Sequence, residues 1–385
     1  MLIQKQPQAL SRHNNFDLIR LLAAYQVVAM HVGEHLKVAV PNVFTFFPGV
    51  WIFFIVSGFL ITASLAHCAT FGEYLRNRVL RIYPGLWAMT AVTVVLLLAF
   101  GQINAATPKG WLLAYVLGQS TLFQPVDGGL GLFRSWGTGS VNGVLWTLTT
   151  ELQFYLCLPL LFWFANRFPA RRTLILGLFL VASLLLYELE LRPWTDPAFI
   201  RTGWQGRLLT LSYISIPTHL FGFLIGVLFY VQLPRLFHLV QGKFLYWAIA
   251  YAAFVLLAWQ GFGLVGWSLE KNPLLMLTQR LLLGGLIFSL AYSLPGLAHR
   301  LLRGNDISYG VYVYHMLVVN SLLQLGLFGS WQYGVLAALL AGMFALASWR
   351  WVERPALRLK RRAPRPAEAT PTAPPALGEK PAIPH

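Results

Sequence analysis

Long apolar runs recur along the chain, separated by short polar segments. Each is close to the roughly 20 residues that a helix needs to cross the hydrocarbon of a bilayer. Ten such runs are present, at 16–36, 48–67, 84–101, 144–166, 173–188, 208–231, 244–261, 274–293, 308–328 and 332–352. A further stretch, WLLAYVLGQSTLF at 111–123, is shorter and more polar and fits an interfacial or re-entrant helix. Backbone groups in lipid must be satisfied within their own segment, so the pattern predicts an all-α, polytopic integral membrane bundle of about ten transmembrane helices. There is no internal repeat, no soluble domain and no G-x-S-x-G elbow. After about residue 360 the pattern stops at RRAPRPAEATPTAPPALGEKPAIPH. That composition cannot build a core, so residues 1–360 are expected to form the membrane domain and 361–385 a disordered tail.

Composition excludes the soluble classes. Hydrophobic residues make up 57% of the chain and charged residues 11%, against about 25% charge in an ordinary soluble domain. The net charge of +16 would suit a nucleic-acid partner if it were gathered on one face, but it lies in short loops between apolar runs. With the N-terminus inside, 21 of the 29 Lys and Arg residues fall on the inner side. That asymmetry places both termini in the cytoplasm. Cys68 and Cys157 form no spaced framework, and neither a disulfide scaffold nor a metal site is expected. The polar first 15 residues carry no cleavable signal.

Ionisable groups inside apolar runs are costly and tend to face an interior cavity. Arg20 and His31 are 11 residues apart on the first run, which returns them to nearly one helix face about 16 Å apart. Glu34 and His35 follow at i+3 and i+4 from His31 on that face. Arg20 also suits snorkelling to headgroups, and His31 a bond between helices. Glu151, in NGVLWTLTTELQFYL, is expected about 10 Å below the outer surface, at the depth of His31. A carboxylate beside an imidazole there would be a base and its orienter. Arg280, on the eighth run, would either counter Glu151 or hold an anionic group, and a plain ion pair between helices is the structural alternative. Trp51 and Trp146 read as belt or packing aromatics, and His219, mid-span, is open.

A second cluster lies at the inner end. The segment EYLRNRVLRIYPGLW places Arg78 and Arg81 at i and i+3, and planar guanidinium groups suit phosphate recognition. His315, in ISYGVYVYHMLVV among Tyr309, Tyr312 and Tyr314, is expected about 10 Å in from the cytoplasm, lining the donor side or bonding within the bundle. Ser57 sits in the Gly-punctuated run FPGVWIFFIVSGFLI. No base is adjacent to it in sequence, and close helix packing or pocket lining accounts for it.

Taken together, these stretches resemble the acyltransferase type 3 family of membrane O-acyltransferases, over about residues 14–356. The resemblance rests on the Arg-x10-His of Arg20 and His31, the GVWIFFIVSGFLI run, RVLRIYP with Arg78 and Arg81, LWTLTTELQFY with Glu151, ISYGVYVYH with His315, and WVERP with Glu353. It implies a bacterial cytoplasmic-membrane enzyme that moves an acyl group, acetyl foremost, from cytosolic acyl-CoA to a hydroxyl of an extracytoplasmic glycan or lipid-linked saccharide. It further implies that His31 is catalytic and that Arg78 and Arg81 handle the donor. Acyl-CoA is then a co-substrate, and no permanently bound cofactor is expected.

These readings combine into one expected mechanism. Arg20, Arg78 and Arg81 hold phosphates at the inner mouth of a tunnel, with His315 lining it. His31, poised by Glu151 or Glu34, takes the acceptor proton, and Ser57, Arg280 or Tyr314 stabilises the oxyanion. A proton-coupled transporter is the competing class, because buried Arg, His and Glu also mark proton pathways.

Overall fold

A computed structural model of the protein describes residues 3, 5, 6, 14–121, 133–195, 211–264 and 266–360. The tail expected to be disordered lies outside them. Among the described residues the chain is all-α, and nine helical stretches are long and apolar enough to cross a membrane. Those that build the site are α1 (Phe16–His35), α3 (Gly49–His67, after the single-turn α2, Val43–Phe46), α4 (Phe71–Ala99), α6 (Leu145–Ala165) and α8 (Ile216–Val231), joined by α14 (Ser308–Gln324). The helix α14 has 17 residues and falls just short by length, yet it is nearly all buried and forms the centre of the bundle. α5 (Lys109–Gln119) forms in the stretch read as interfacial.

One boundary differs from the sequence reading. The third run was started at residue 84, behind its arginines and Pro84, but the helix begins at Phe71 and carries Arg76, Arg78 and Arg81 on its first turns. Thr70 caps it by accepting from the Glu73 N–H at 3.1 Å, and the Glu73 carboxylate reaches back to accept from the Ala69 N–H at 2.9 Å. The helix continues through Pro84, as transmembrane helices tolerate prolines that soluble ones do not.

α3 and α8 cross at paired glycines. A Cβ on Gly58 would collide with the backbone of Phe223, and one on Gly226 with the backbone of Ile55 and Phe59. Small residues at a crossing let two backbones touch in lipid. That contact uses one face of α3 and leaves the opposite stripe to face the interior.

Residues 133–144 enter the bundle without helical structure. Trp136, Val141, Asn142 and Val144 are all buried. Irregular backbone at membrane depth needs protein partners in place of water, and Asn320 of α14 supplies them. Its Nδ2 donates to the carbonyls of Ser140 and Val141, each at 2.9 Å, and its Oδ1 accepts from the Thr138 N–H at 2.9 Å. Asn142 Nδ2 donates to the Val313 carbonyl at 2.9 Å. The strap therefore starts α6 well inside the bundle rather than at its surface.

Candidate active site

The interior stripe of α3 builds the wall of a cavity. Val50, Phe53, Ser57, Leu60, Ser64 and His67 recur at three- and four-residue steps and all line it. At 1.5 Å per residue they extend about 26 Å, most of a hydrocarbon layer about 30 Å thick. The cavity holds about 600 Å3 and is elongated along that helix. One end is cationic, where Arg20, Arg78, Arg81 and Lys360 line the mouth together with Asp17, Glu73 and Asp306. The other end is aromatic, lined by Phe53, Phe54 and Tyr312 with Thr147.

The three arginines of the mouth are not equivalent. Arg20 Nη1 donates to Asp306 Oδ2 at 2.7 Å, and Arg81 Nη2 donates to the same oxygen. Burial alone would raise the Asp306 carboxyl, but Arg20 and Arg81 hold it well below the usual carboxylate range. That one carboxylate engages both guanidinium groups but balances only one of their two charges. Arg78 has no carboxylate partner among the described residues. Its Nη2 donates to Ser64 Oγ at 3.0 Å, its guanidinium lies 5.7 Å from the Tyr155 ring centroid, and its Nε is buried without a partner. Sequence reading grouped Arg20, Arg78 and Arg81 as phosphate ligands, whereas the geometry singles out Arg78. It also missed Lys360, which stands in a basic LKRR run that looks like an ordinary anchor, and Asp306, a lone acid in the loop before α14.

Lys360 is pushed down to about 8, first by burial and then by the like charges of Arg78, Arg81 and Arg20, which Asp306 only partly offsets. An anion bound at the mouth would favour its protonated form. Anion affinity should therefore be nearly full at pH 7 and weaken as the pH rises through 8, by roughly tenfold at pH 9. Titration calorimetry with coenzyme A at both pH values checks this. A Lys360→Gln protein should show a flat profile, and the same steep profile in that variant would assign the effect elsewhere.

Halfway along the cavity, Ser57 Oγ donates to Glu151 Oε1 at 3.1 Å and Tyr155 Oη donates to the same oxygen at 2.9 Å. Ser57 thus does have a carboxylate partner, but across the bundle rather than nearby in sequence. The expected pairing of Glu151 with His31 does not form. Thr147 Oγ1 meets Tyr312 Oη at 2.6 Å. From there Glu151 lies four residues further down α6, and His315 three residues the other way along α14. The carboxylate is therefore about 10 Å from the histidine level along the bundle. The depth estimate failed because it started α6 at the surface, and the strap starts it deeper.

His31 bonds instead to His315, with 3.0 Å between His31 Nδ1 and His315 Nε2. His315 was expected near the arginines. The parallel helices α1 and α14 instead share two polar rungs, Arg20 with Asp306 below and His31 with His315 above. The His35 ring stacks on His31 at 5.7 Å. Glu34 is exposed at the end of α1, and no hydrogen bond joins its carboxylate to the His31 ring, so it does not orient that base and reaches it only as a nearby charge. Neither His31 nor His315 lines the cavity. Tyr312 stands between, with its carbonyl bonded to His315 Nδ1 at 2.7 Å and its ring against Phe53 at 5.3 Å.

Two oxyanion candidates fall elsewhere. Arg280 Nη2 donates to Glu270 Oε1 at 2.6 Å, Arg280 also bonds Gln279, and its guanidinium lies 4.8 Å from the Trp51 ring. It neither meets Glu151 nor reaches the cavity. Trp51 is a packing residue, and His219 sits inside the same aromatic group, 6.0 Å from Trp51 and 5.1 Å from Trp146. The Tyr314 ring stacks on Phe344 at 5.7 Å, away from the cavity.

A family model described as an acyltransferase domain matches residues 13–350. The chain belongs to this acyltransferase family. Nodulation protein 10 of Rhizobium leguminosarum bv. viciae is 31% identical over 366 residues, covering 90% of this chain and 94% of that protein. A putative peptidoglycan O-acetyltransferase of Bacillus subtilis strain 168 is 27% identical over 43% of the chain and 27% of its own length. A peptidoglycan O-acetyltransferase of Listeria monocytogenes is 28% identical over 51% of the chain and 32% of its own length. These two are much longer than the part matched. No solved structure matches the acyltransferase.

Proposed function

We propose that the acyltransferase takes an acyl group, acetyl foremost, from cytosolic acyl-CoA and places it on a hydroxyl of an extracytoplasmic glycan, in the cytoplasmic membrane of a bacterium. The observation that carries this reading is the elongated cavity along α3, cationic at one end and walled from two histidines at the other. The charge asymmetry of the loops supports a cytoplasmic position for the cationic mouth. A polar nucleotide stays there on Arg78 and Lys360, and its thin pantetheine arm extends up the α3 stripe. Glu151, fixed by Ser57 and Tyr155, meets the amide groups of the arm rather than the reacting carbon. Rotation of Phe53 and Tyr312 lets the thioester reach His31. There an acceptor hydroxyl gives its proton to His31 as oxygen attacks the carbonyl, the carbon–sulfur bond breaks, and the departing thiolate takes that proton back from His31 to leave as the thiol. Resemblance to peptidoglycan O-acetyltransferases supports a glycan acceptor.

Purified protein in nanodiscs with radiolabelled acetyl-CoA tests this. Coenzyme release should depend on His31, and substrate uptake into liposomes without coenzyme release would make the protein a transporter. Arg78→Ala should raise the acetyl-CoA Kd about tenfold or more with little change in kcat, since a charge-assisted hydrogen bond contributes about 1.5–3 kcal/mol. Glu151→Gln should likewise act mainly on affinity. A Glu151→Gln protein with normal affinity and collapsed turnover would return that carboxylate to the chemistry.

A further inference from the structure

We infer that His315 is a positioning residue that fixes the tautomer of His31 and leaves His31 Nε2 as the base. This deepens the proposed function and rests on His31 being the proton acceptor. The hydrogen-bond chain has one direction. The Tyr312 carbonyl can only accept, so His315 Nδ1, 2.7 Å away, carries the hydrogen. His315 is buried, with 1% of its surface exposed, and a second ring proton would make a buried cation with no carboxylate bonded to it. Neutral His315 then presents a bare Nε2. His31 Nδ1, 3.0 Å away, then donates to it, and the Val27 carbonyl one turn back is a further acceptor beside the same ring. What remains on His31 is a lone pair on Nε2, the nitrogen that His315 does not engage.

A carboxylate usually plays this orienting part, and the sequence offered Glu151 and Glu34 for it. An imidazole does the same work with a neutral group, which suits a site within the hydrocarbon layer, where an added charge is expensive. The chain also ends. A proton taken up at His31 Nε2 can shift the Nδ1 hydrogen toward His315, but the next partner is a carbonyl that accepts no proton. The pair stores one proton during turnover and does not conduct it onward, the behaviour of a catalytic base and not of a transport wire.

The test is 15N NMR of protein labelled at histidine, with the His31 resonances identified by their loss in His31→Gln. In the unmodified protein His31 should be in the Nδ1–H form. His315→Leu, which removes the acceptor, should shift it toward Nε2–H and lower kcat by about 10²- to 10⁴-fold, the range seen when a catalytic histidine loses its orienting partner, with acetyl-CoA KM unchanged. His315→Gln restores an acceptor oxygen and should recover both the Nδ1–H form and most of the turnover. An Nε2–H form in the unmodified protein, kcat in His315→Leu within twofold of normal, or His315→Gln as inactive as His315→Leu would each overturn the inference. The tautomer is read with no donor present, so a protein with the expected form that consumes no acetyl-CoA refutes the donor reading and not the role of His315.

Discussion

Replacing His31 by alanine should lower acyl transfer by about 10³-fold, within the range that a positioned general base contributes, while acetyl-CoA binds as tightly as before. The split follows from the geometry. His31 lies behind Tyr312 and lines no part of the cavity proposed to receive the donor, so its loss leaves Arg78, Lys360 and the α3 stripe untouched. Stopped-flow release of coenzyme A and calorimetric donor binding, measured on the same preparation, decide it. A protein that keeps a tenth or more of its turnover would show that the proton goes elsewhere. Parallel loss of binding and turnover would show that the ring holds the bundle together.

Asp306→Asn should be the most destabilising single change at the mouth, by about 3 kcal/mol, because it strands two largely buried guanidinium groups on one neutral amide. The carboxylate ties α1 and α4 to the turn before α14. Thermal unfolding in detergent should show a clear drop in Tm, whereas an unchanged Tm would mean that water and lipid phosphates satisfy Arg20 and Arg81 equally well. Donor affinity should hold or improve in the same variant, since Arg20 and Arg81 are released from an internal partner. This separates Asp306 from Arg78, whose loss should act on affinity and hardly on stability.

Much of the frame was legible in the chain. Hydropathy marked the spans because a bilayer admits few alternatives to apolar helices. The Arg20–His31 spacing gave a true stripe, since both lie on one uninterrupted helix and 11 residues close three turns. What failed were the pairings assigned by depth from one helix to another, whereas the shared mouth of Arg20, Arg78 and Arg81 did form. Depth along a helix is computed from its start, and the start of α6 is hidden by a strap whose partners, Asn320 and Asn142, look unremarkable in sequence. Depth offered Glu151 as one of two partners for Arg280, but Glu270, just ten residues before it, is the one it bonds. Asp306 was overlooked because a single acid in a loop has no periodicity. Lys360 was overlooked because the basic residues around it serve topology and conceal one that faces inward.

The face of α3 toward the cavity has a consequence for how the protein tolerates change. One helix supplies the wall from end to end, so its residues are in phase with one another. Inserting a single alanine between Ser57 and Leu60 would rotate everything beyond it by about 100°. Ser64 and His67 would turn out of the passage while the segment stayed as greasy as before. Such a protein would insert into the bilayer in the normal orientation and yet present the incoming thioester with the wrong surface over half its route.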